Sequence, residues 1–227
     1  MTTLTQHNDI TTTTQSHHTV NLDKKALRTW QKENDINIQQ ILSTESRSSF
    51  VILSTSGDVY GVGYNSKGKF DPHEKRVTIP KKLSFPHDTS IKKIAVSAES
   101  LAFIDQKGEV YTTGSINSFL ANTLNHRSTN ATPRKMASHE KFIEVAISDN
   151  HLLALSDKSE VWVLGCNRNN QLGLDPNLSK DADEAVQPWQ TRDIVQKIDL
   201  TPHLRKDDKP IRLVTASYSS FIITEHG

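Results

Sequence analysis

The stretch SDNHLLALSDKSEVWVLGCN, residues 148–167, has two relatives elsewhere in the chain, and the spacing between them decides the fold. SSFVILSTSGDVYGVGYN (48–65) and ESLAFIDQKGEVYTTGSI (99–116) align without a gap with NHLLALSDKSEVWVLGCN (150–167). The shared valines fall 51 residues apart, and so do the shared glycines: Val59, Val110 and Val161, and Gly63, Gly114 and Gly165. A fixed period of this length indicates a repeat architecture.

Each repeat predicts a small antiparallel β-sheet. The apolar runs FVIL, LAFI and LLAL are too short for helices, and each is followed by turn residues and a second strand. Gly57 and Gly108 suit a turn position with positive φ, which Ser159 takes in the third copy at a modest cost. An upstream strand (IAV or VAI) and one near a recurring proline complete four strands, with loops marked by Pro80, Pro133 and Pro188.

We therefore predict an all-β fold: a β-propeller of four-stranded blades with repeats of about 51 residues. Three repeats are complete, and the fourth hairpin stops at Gly227, so we expect a partial propeller over residues 34–227. An unpaired blade edge favours association, and a longer chain or oligomerisation would complete the ring. The connection at 175–209 allows a short helix across WQTRDIVQ (189–196), where Trp189 would anchor a partner or pack internally.

The first residues differ in composition from the repeats. Residues 1–33 are predicted to be disordered or loosely attached, because the opening is Thr-rich and polar and has no hydrophobic period. The part HTVNLDKKALRTW (18–30) echoes HLLALSDKSEVWV (151–163), so a closing strand or degenerate half-blade is an alternative. The pair His17–His18 has no cysteine or carboxylate cluster beside it, so no metal site is predicted.

Charge and cysteine content limit the partners and the compartment. The chain has 27 Lys and Arg against 26 Asp and Glu, which argues against nucleic acid as the partner. Its single cysteine, Cys166, cannot form an internal disulfide, which favours a reducing, intracellular compartment. No apolar run approaches the roughly 20 residues that span a bilayer, and the N-terminus lacks the apolar middle of a secretory signal.

The repeats resemble the regulator-of-chromosome-condensation repeat, V-x-x-V-x-x-G-x-x-H-x-x-A-L-x-x-D-G-x-V-Y-x-W-G-x-N-x-x-G-Q-L-G. The segment VAISDNHLLALSDKSEVWVLGCNRNNQLGLD (145–175) follows this line from His151 through Gly165 to Gln171, Leu172 and Gly173. The first two copies are weaker, with serine in place of the histidine. The resemblance covers about residues 37–227 and implies that His151 is a structural residue of a blade turn, bonded to backbone.

The same resemblance implies a function in protein recognition. The founding member of the family is a seven-bladed propeller that catalyses guanine-nucleotide exchange on the small GTPase Ran. Exchange requires no covalent chemistry and implies no cofactor, because the catalyst needs only to bind the nucleotide-free GTPase better than the loaded form. The exchange factor carries important acids just before the repeat histidine, and Asp149 and Glu99 fall at such positions here.

The loop after Gly165 offers further candidates for GTPase contact. Gly165 and Pro188 are 23 residues apart, against 17 and 19 for the equivalent pairs. The exchange factor inserts a wedge against the GTPase from this loop, and the candidates here are Arg168, Asn169 and Asn170. We found no nucleophile, base and orienting acid together outside the repeat pattern, which disfavours a hydrolase.

Two alternatives remain open. Many members of the family bind partners without exchange activity, so the chain could be a non-catalytic interaction platform with Asp149 and Glu99 as solvated loop acids. Chromatin or DNA binding is a second alternative, which the charge balance opposes. Similar repeats also occur in effector proteins that intracellular bacteria deliver into host cells. The resemblance therefore implies the cytoplasm or nucleus, or the host cytosol if the chain is such an effector.

Overall fold

A computed structural model of the chain describes residues 24–44, 49–65, 67–117, 132–167, 169–174 and 192–226. Besides a helical turn at residues 115–117, the regular elements in these ranges are one helix and fourteen strands. In chain order they are α1 (Lys24–Glu33), β1 (Ile38–Thr44), β2 (Ser49–Ser54), β3 (Val59–Tyr64), β4 (Arg76–Lys82), β5 (Ile91–Val96), β6 (Ser100–Asp105), β7 (Val110–Gly114), β8 (Arg134–Lys135), β9 (Phe142–Ile147), β10 (His151–Ser156), β11 (Val161–Gly165), β12 (Arg192–Lys197), β13 (Pro210–Ala216) and β14 (Ser219–Thr224).

The strands form antiparallel sheets in chain order. Blade 1 is β1-β2-β3-β4, blade 2 is β5-β6-β7-β8, blade 3 is β9-β10-β11-β12, and the partial blade 4 is β13-β14. The central hairpins share one register, in which the first residue of the second strand lies opposite the last glycine of the third: Ser49 with Gly63, Ser100 with Gly114, and His151 with Gly165. The predicted repeat of four-stranded blades, three complete and one partial, is confirmed.

The hairpin turns explain why this register is fixed. Gly57 and Gly108 both adopt φ of 86°, and Ser159 adopts 62° at the equivalent position. Glycine takes this left-handed conformation without the steric cost that a side chain adds. The positive-φ prediction for these three turns is therefore confirmed.

Neighbouring blades pack face to face, and this explains the continuous apolar runs. Along β6, Leu101 and Phe103 belong to the core between blades 1 and 2, whereas Ala102 and Ile104 belong to the core between blades 2 and 3. Because successive side chains point to opposite faces of a strand, a sheet covered on both sides needs apolar residues at every position. All four of these side chains are fully buried.

An ion pair also repeats on the outer part of each complete blade. It joins the acid just before the third strand to a lysine of the fourth strand, at 2.8 Å in Asp58–Lys82, 2.6 Å in Glu109–Lys135 and 3.0 Å in Glu160–Lys197. The bonded lysine lowers the pKa of Glu109 and of Glu160. These pairs are solvent-exposed, so they help to specify strand pairing more than they stabilise the blades.

The structure corrects the expectation for the end of the N-terminal segment. Residues 24–33 form α1, neither disordered nor a closing strand, and residues 1–23 lie outside the described ranges. Leu27 and Trp30, three positions apart and therefore on one side of the helix, are buried against blade 1. The Trp30 ring meets Tyr60 edge to face at 5.1 Å between centroids. Burial of one apolar side therefore orders a segment that is otherwise polar.

Two further expectations are wrong. A helix was predicted at 189–196, but the part of this segment from Arg192 onward belongs to β12. Lys197 of β12 pairs with Trp162 of β11, because pairing with an open strand edge overrides a local helical pattern. Trp189 lies outside the described residues. Pro80 lies within β4 and not in a loop, at a register shift of the edge strand, where a missing N–H is tolerated. Within the described ranges, no helix is long and apolar enough to cross a membrane.

Candidate functional site

The predicted GTPase-contact residues that the structure describes lie at one end of the blades. The connections from first to second strand, which include Ser97–Glu99, Ser148–Asn150 and Ser217–Tyr218, lie beside the segments that follow the third strands. Two hydrogen bonds show this proximity: Ser115 N–H donates to the Glu99 carbonyl at 2.9 Å, and Cys166 N–H donates to the Asn150 carbonyl at 2.8 Å. We call this side, defined by the three connections, the loop end. The hairpin turns lie at the opposite, turn end.

Asp149 joins blade 3 to blade 2. Its Oδ1 accepts hydrogen bonds from Ser97 Oγ and from the Glu99 backbone N–H, both at 2.6 Å. Its backbone carbonyl accepts a third bond from Ser100 Oγ at 3.2 Å. Within the described part of the chain, its other carboxylate oxygen, Oδ2, accepts no hydrogen bond. One oxygen of Asp149 therefore fixes the side chain between blades, and the second can accept a bond from a partner.

Glu99 is placed directly beside Asp149. Its N–H is the donor to Asp149, and its Oε2 lies 4.0 Å from Lys67 Nζ. A buried lysine, Lys69, supports the same connection from blade 1 by donating to the Ala98 carbonyl at 2.7 Å. The structure thus brings together two acids that are 50 positions apart in the chain, on a backbone held from both neighbouring blades.

The wedge candidates are only partly described. Arg168 lies outside the described residues. Asn169 and Asn170 are exposed at the loop end, where Asn169 N–H donates to Gln171 Oε1 at 2.8 Å. Asn170 has φ of 59°, and Gly68 at the equivalent place in blade 1 has 66°. Asn170 therefore forms a turn, and its role in a wedge stays a prediction.

His151 lies beneath the loop end as a buried bridge between blades 3 and 4. Its Nδ1 is 2.6 Å from Ser148 Oγ and 2.9 Å from Asn150 Oδ1, and its Nε2 is 3.0 Å from Ser220 Oγ. Burial, partly opposed by a backbone hydrogen bond with Ser219, lowers its pKa from 6.5 to about 4. The imidazole is therefore neutral near pH 7, and its ring nitrogens are occupied by structural partners.

Tyr218 is a loop-end residue that the motif reasoning missed. Its side chain is 63% exposed, although large apolar side chains in the complete blades are mostly buried. The alignment of LVTASYS (213–219) with IAVSAES (94–100) places Tyr218 in the column of Glu99, and this was the signal that could have identified it. The loop end therefore carries an exposed aromatic side chain as well as the two acids.

No metal centre is evident in the part of the chain that the structure describes, where no three His, Cys, Asp or Glu side chains group together. Asp149 bonds with Ser97, Glu99 with Asp149, and His151 with Ser220, so these contacts connect neighbouring blades. What the arrangement offers chemically is a charged surface of fixed shape.

Comparison with known proteins identifies the fold. No protein-family model matches the chain. The mouse (Mus musculus) protein "Regulator of chromosome condensation" is 24% identical over 147 residues, which are 62% of this chain and 34% of that protein. Human WBSCR16 superposes with a TM-score of 0.66 at 17% identity, covering 85% of this chain and 46% of its own. The chain folds as a propeller of the regulator-of-chromosome-condensation type.

Two structures of the yeast member of this propeller type show the same similarity of fold to this chain. Yeast RCC1 (Prp20), solved bound to Kap60, has a TM-score of 0.65 at 20% identity and covers 81% of this chain and 41% of its own. Prp20p from Saccharomyces cerevisiae, described with its binding properties to Gsp1p and histones, has a TM-score of 0.63 at 19% identity. It covers 83% of this chain and 43% of its own. The resemblance of the repeats is thus confirmed, and the chain spans less than half the length of these relatives.

Proposed function

We propose that the loop end binds a small GTPase of the Ran type and promotes guanine-nucleotide exchange. The observation that carries this proposal is Asp149, which is fixed through Oδ1 while Oδ2 accepts no hydrogen bond from a described residue. Glu99 lies beside it, and the propeller belongs to a type in which yeast Prp20p was described with binding to Gsp1p and histones. An acid at this place also matches the position that the repeat resemblance assigns to GTPase contact.

A fixed carboxylate suits exchange for a physical reason. Exchange is accelerated when a protein stabilises the nucleotide-free GTPase more than the loaded one. Acids on the propeller can compete with the phosphates and Mg²⁺ for the cationic groups of the GTPase. Because Asp149 is already oriented by Ser97 and Glu99, little side-chain entropy is lost when it pairs.

Tyr218 supports recognition at the same end. Exposed tyrosines are enriched among the residues that dominate binding energy at protein interfaces. Tyr218 lies on the connection of blade 4, next to the blade that carries Asp149. Together these residues would offer an aromatic side chain and two acids on the loops of successive blades.

The direct test is nucleotide release. Ran loaded with a fluorescent guanine nucleotide is mixed with the chain and excess unlabelled nucleotide, and the decay of fluorescence is followed. We expect the decay to accelerate with the concentration of the chain. Binding without acceleration would instead assign the chain to the non-catalytic platforms, and absence of both would contradict the proposal.

Asp149→Asn separates the charge of the site from its structure. Asparagine keeps an oxygen that accepts from Ser97 and Glu99, so the loop should stay in place while the negative charge is lost. We expect the exchange rate to fall about tenfold or more, since truncating one partner of an interfacial charge pair costs about 2 kcal/mol or more. Circular dichroism and the melting temperature should change little.

Asp157→Asn is the matched control. It makes the same change of charge in blade 3, but at the exposed turn between β10 and β11, at the opposite end. The control should keep the exchange rate of the unmodified chain. Equal losses in the two variants would indicate a general effect of net charge and would contradict a role of the loop end.

A further inference from the structure

Lys69 is a buried lysine at the loop end of blade 1, in the segment that follows β3. It is 2% exposed, whereas the lysine side chains of the repeated ion pairs are about half exposed. An ammonium group that loses its water needs acceptors within the protein. Lys69 Nζ donates to the Ala98 carbonyl at 2.7 Å and lies 5.2 Å from the centre of the Phe70 ring. A buried positive charge of blade 1 therefore contacts the connection that carries Glu99.

The carbonyl that Lys69 binds belongs to the same peptide group as an N–H that holds Asp149. The Ala98 carbonyl and the Glu99 N–H are the two ends of one planar trans peptide, so they point in opposite directions. Lys69 binds the oxygen end, and the nitrogen end donates to Asp149 Oδ1 at 2.6 Å. A cation at the oxygen fixes the rotation of the peptide and polarises it, which strengthens the donor at the other end. The contacts therefore form one connected series from blade 1 through blade 2 to blade 3.

Blade 3 shows the same position with a different side chain, because the repeat alignment pairs Lys69 with Gln171. The two loops have the same local geometry: Asn65 Oδ1 and Asn167 Oδ1 each accept from the backbone N–H five residues later, at 2.9 Å. Gln171 is also buried, but its Nε2 makes no hydrogen bond with any residue that the structure describes. The amide of Gln171 therefore does not hold the connection of the next blade as the ammonium of Lys69 does.

We propose that Lys69 is a positioning residue for Asp149. Its ammonium holds the Ala98–Glu99 peptide in the orientation that presents the N–H to the carboxylate, so that Asp149 is fixed before a partner binds. This contact exists in the chain alone, and its effect on nucleotide exchange rests on the function proposed above. A carboxylate that is fixed in advance loses less side-chain entropy when it pairs. Loss of the ammonium should therefore weaken recognition while both acids keep their charge.

Lys69→Met tests the positioning on the chain alone. Methionine keeps an unbranched stem without the ammonium, and replacing a buried charge by an apolar side chain often leaves the fold intact. We expect hydrogen exchange of the Glu99 amide, followed by NMR, to accelerate about fivefold or more, because the peptide can rotate away from Asp149. Lys69→Gln should have the same effect, since Gln171 makes no such bond in blade 3. An unchanged Glu99 amide in both variants would overturn the proposal.

The effect on function is tested by nucleotide release from Ran, with Lys69→Met alone and combined with Asp149→Asn. We expect Lys69→Met to slow the release that the chain promotes about threefold or more, because an unfixed carboxylate loses more entropy on pairing. Two changes that remove one shared contact have effects that do not add. The combined variant should therefore be as slow as Asp149→Asn alone. Losses that multiply would show that Lys69 acts apart from Asp149 and would contradict the proposal.

Lys158→Met is the matched control. It removes the same kind of ammonium, but Lys158 lies at the turn end of blade 3, where it pairs with Glu140 at 2.8 Å. Neither the Glu99 amide nor the release rate should change in this variant. Equal changes in Lys158→Met and Lys69→Met would indicate a general effect of net charge and would refute the positioning role. A chain without exchange activity would refute the function proposed above, and the Glu99 amide would still decide the role of Lys69.

Discussion

Replacing Gly165 by alanine is expected to lower the free energy of unfolding by about 3 kcal/mol or more. Gly165 has φ of 117°, outside the conformations that a residue with a side chain adopts readily. A Cβ at this position would meet the Asn150 carbonyl oxygen at 2.4 Å and the His151 Cα at 2.8 Å. Both are backbone atoms and cannot rotate away, so blade 3 would have to open. Urea denaturation followed by circular dichroism measures the loss.

Gly173→Ala is the matched control for this prediction. Gly173 also has a positive φ, 62°, but a Cβ there meets no atom of the described residues within 4 Å. Only the conformational cost of about 1 kcal/mol is expected. If the two variants lost equal stability, the close approach of Gly165 to the loop of Asn150 would not be the constraint that the structure indicates.

Stability is also expected to fall by about 3 kcal/mol between pH 6.5 and pH 4 because of His151. Burial lowers the pKa of this imidazole from 6.5 to about 4, so across this range the unfolded chain binds a proton that the folded chain does not. The free energy of unfolding therefore falls as the pH falls. The stabilisation that comes from the neutral His151 is lost below about pH 4. Denaturation series at several pH values measure the slope.

His151→Gln tests the origin of that slope. Glutamine retains hydrogen-bonding groups for Ser148 and Ser220 but does not titrate. The variant should lose the pH dependence between 6.5 and 4.5, even if its stability at pH 7 is lower. Carboxylates such as Asp71, whose pKa its bond with Lys81 lowers to about 2, add their dependence at lower pH. An unchanged slope in the variant would contradict the buried, neutral histidine.

The blades could be predicted because each is a local meander. The hairpin strands, their turns and their opposed glycines lie within about fifty residues, so one aligned repeat contains every pairing that forms a sheet. The turn position of Gly57 and Ser159 was readable because its φ requirement restricts the residue type. Local chemistry was therefore sufficient for the fold class.

The helix and the contacts between blades could not be read from one segment. In KKALRTWQKE only Leu27 and Trp30 are large and apolar, and their burial depends on Phe50 and Ile52 of blade 1. Similarly, the sequence places Asp149 before the repeat histidine, but its bonds go to Ser97 and Glu99, about fifty residues away. The site emerges only when adjacent blades pack, which a pattern within one repeat does not encode.

Recognition through the loop end is tested most directly by hydrogen exchange on the chain with and without nucleotide-free Ran. We predict slower exchange at residues 97–100 and 148–151, which flank Asp149, and unchanged exchange at the hairpin turns 55–58, 106–109 and 157–160. Protection confined to the turns, or no protection at saturating GTPase, would contradict the account.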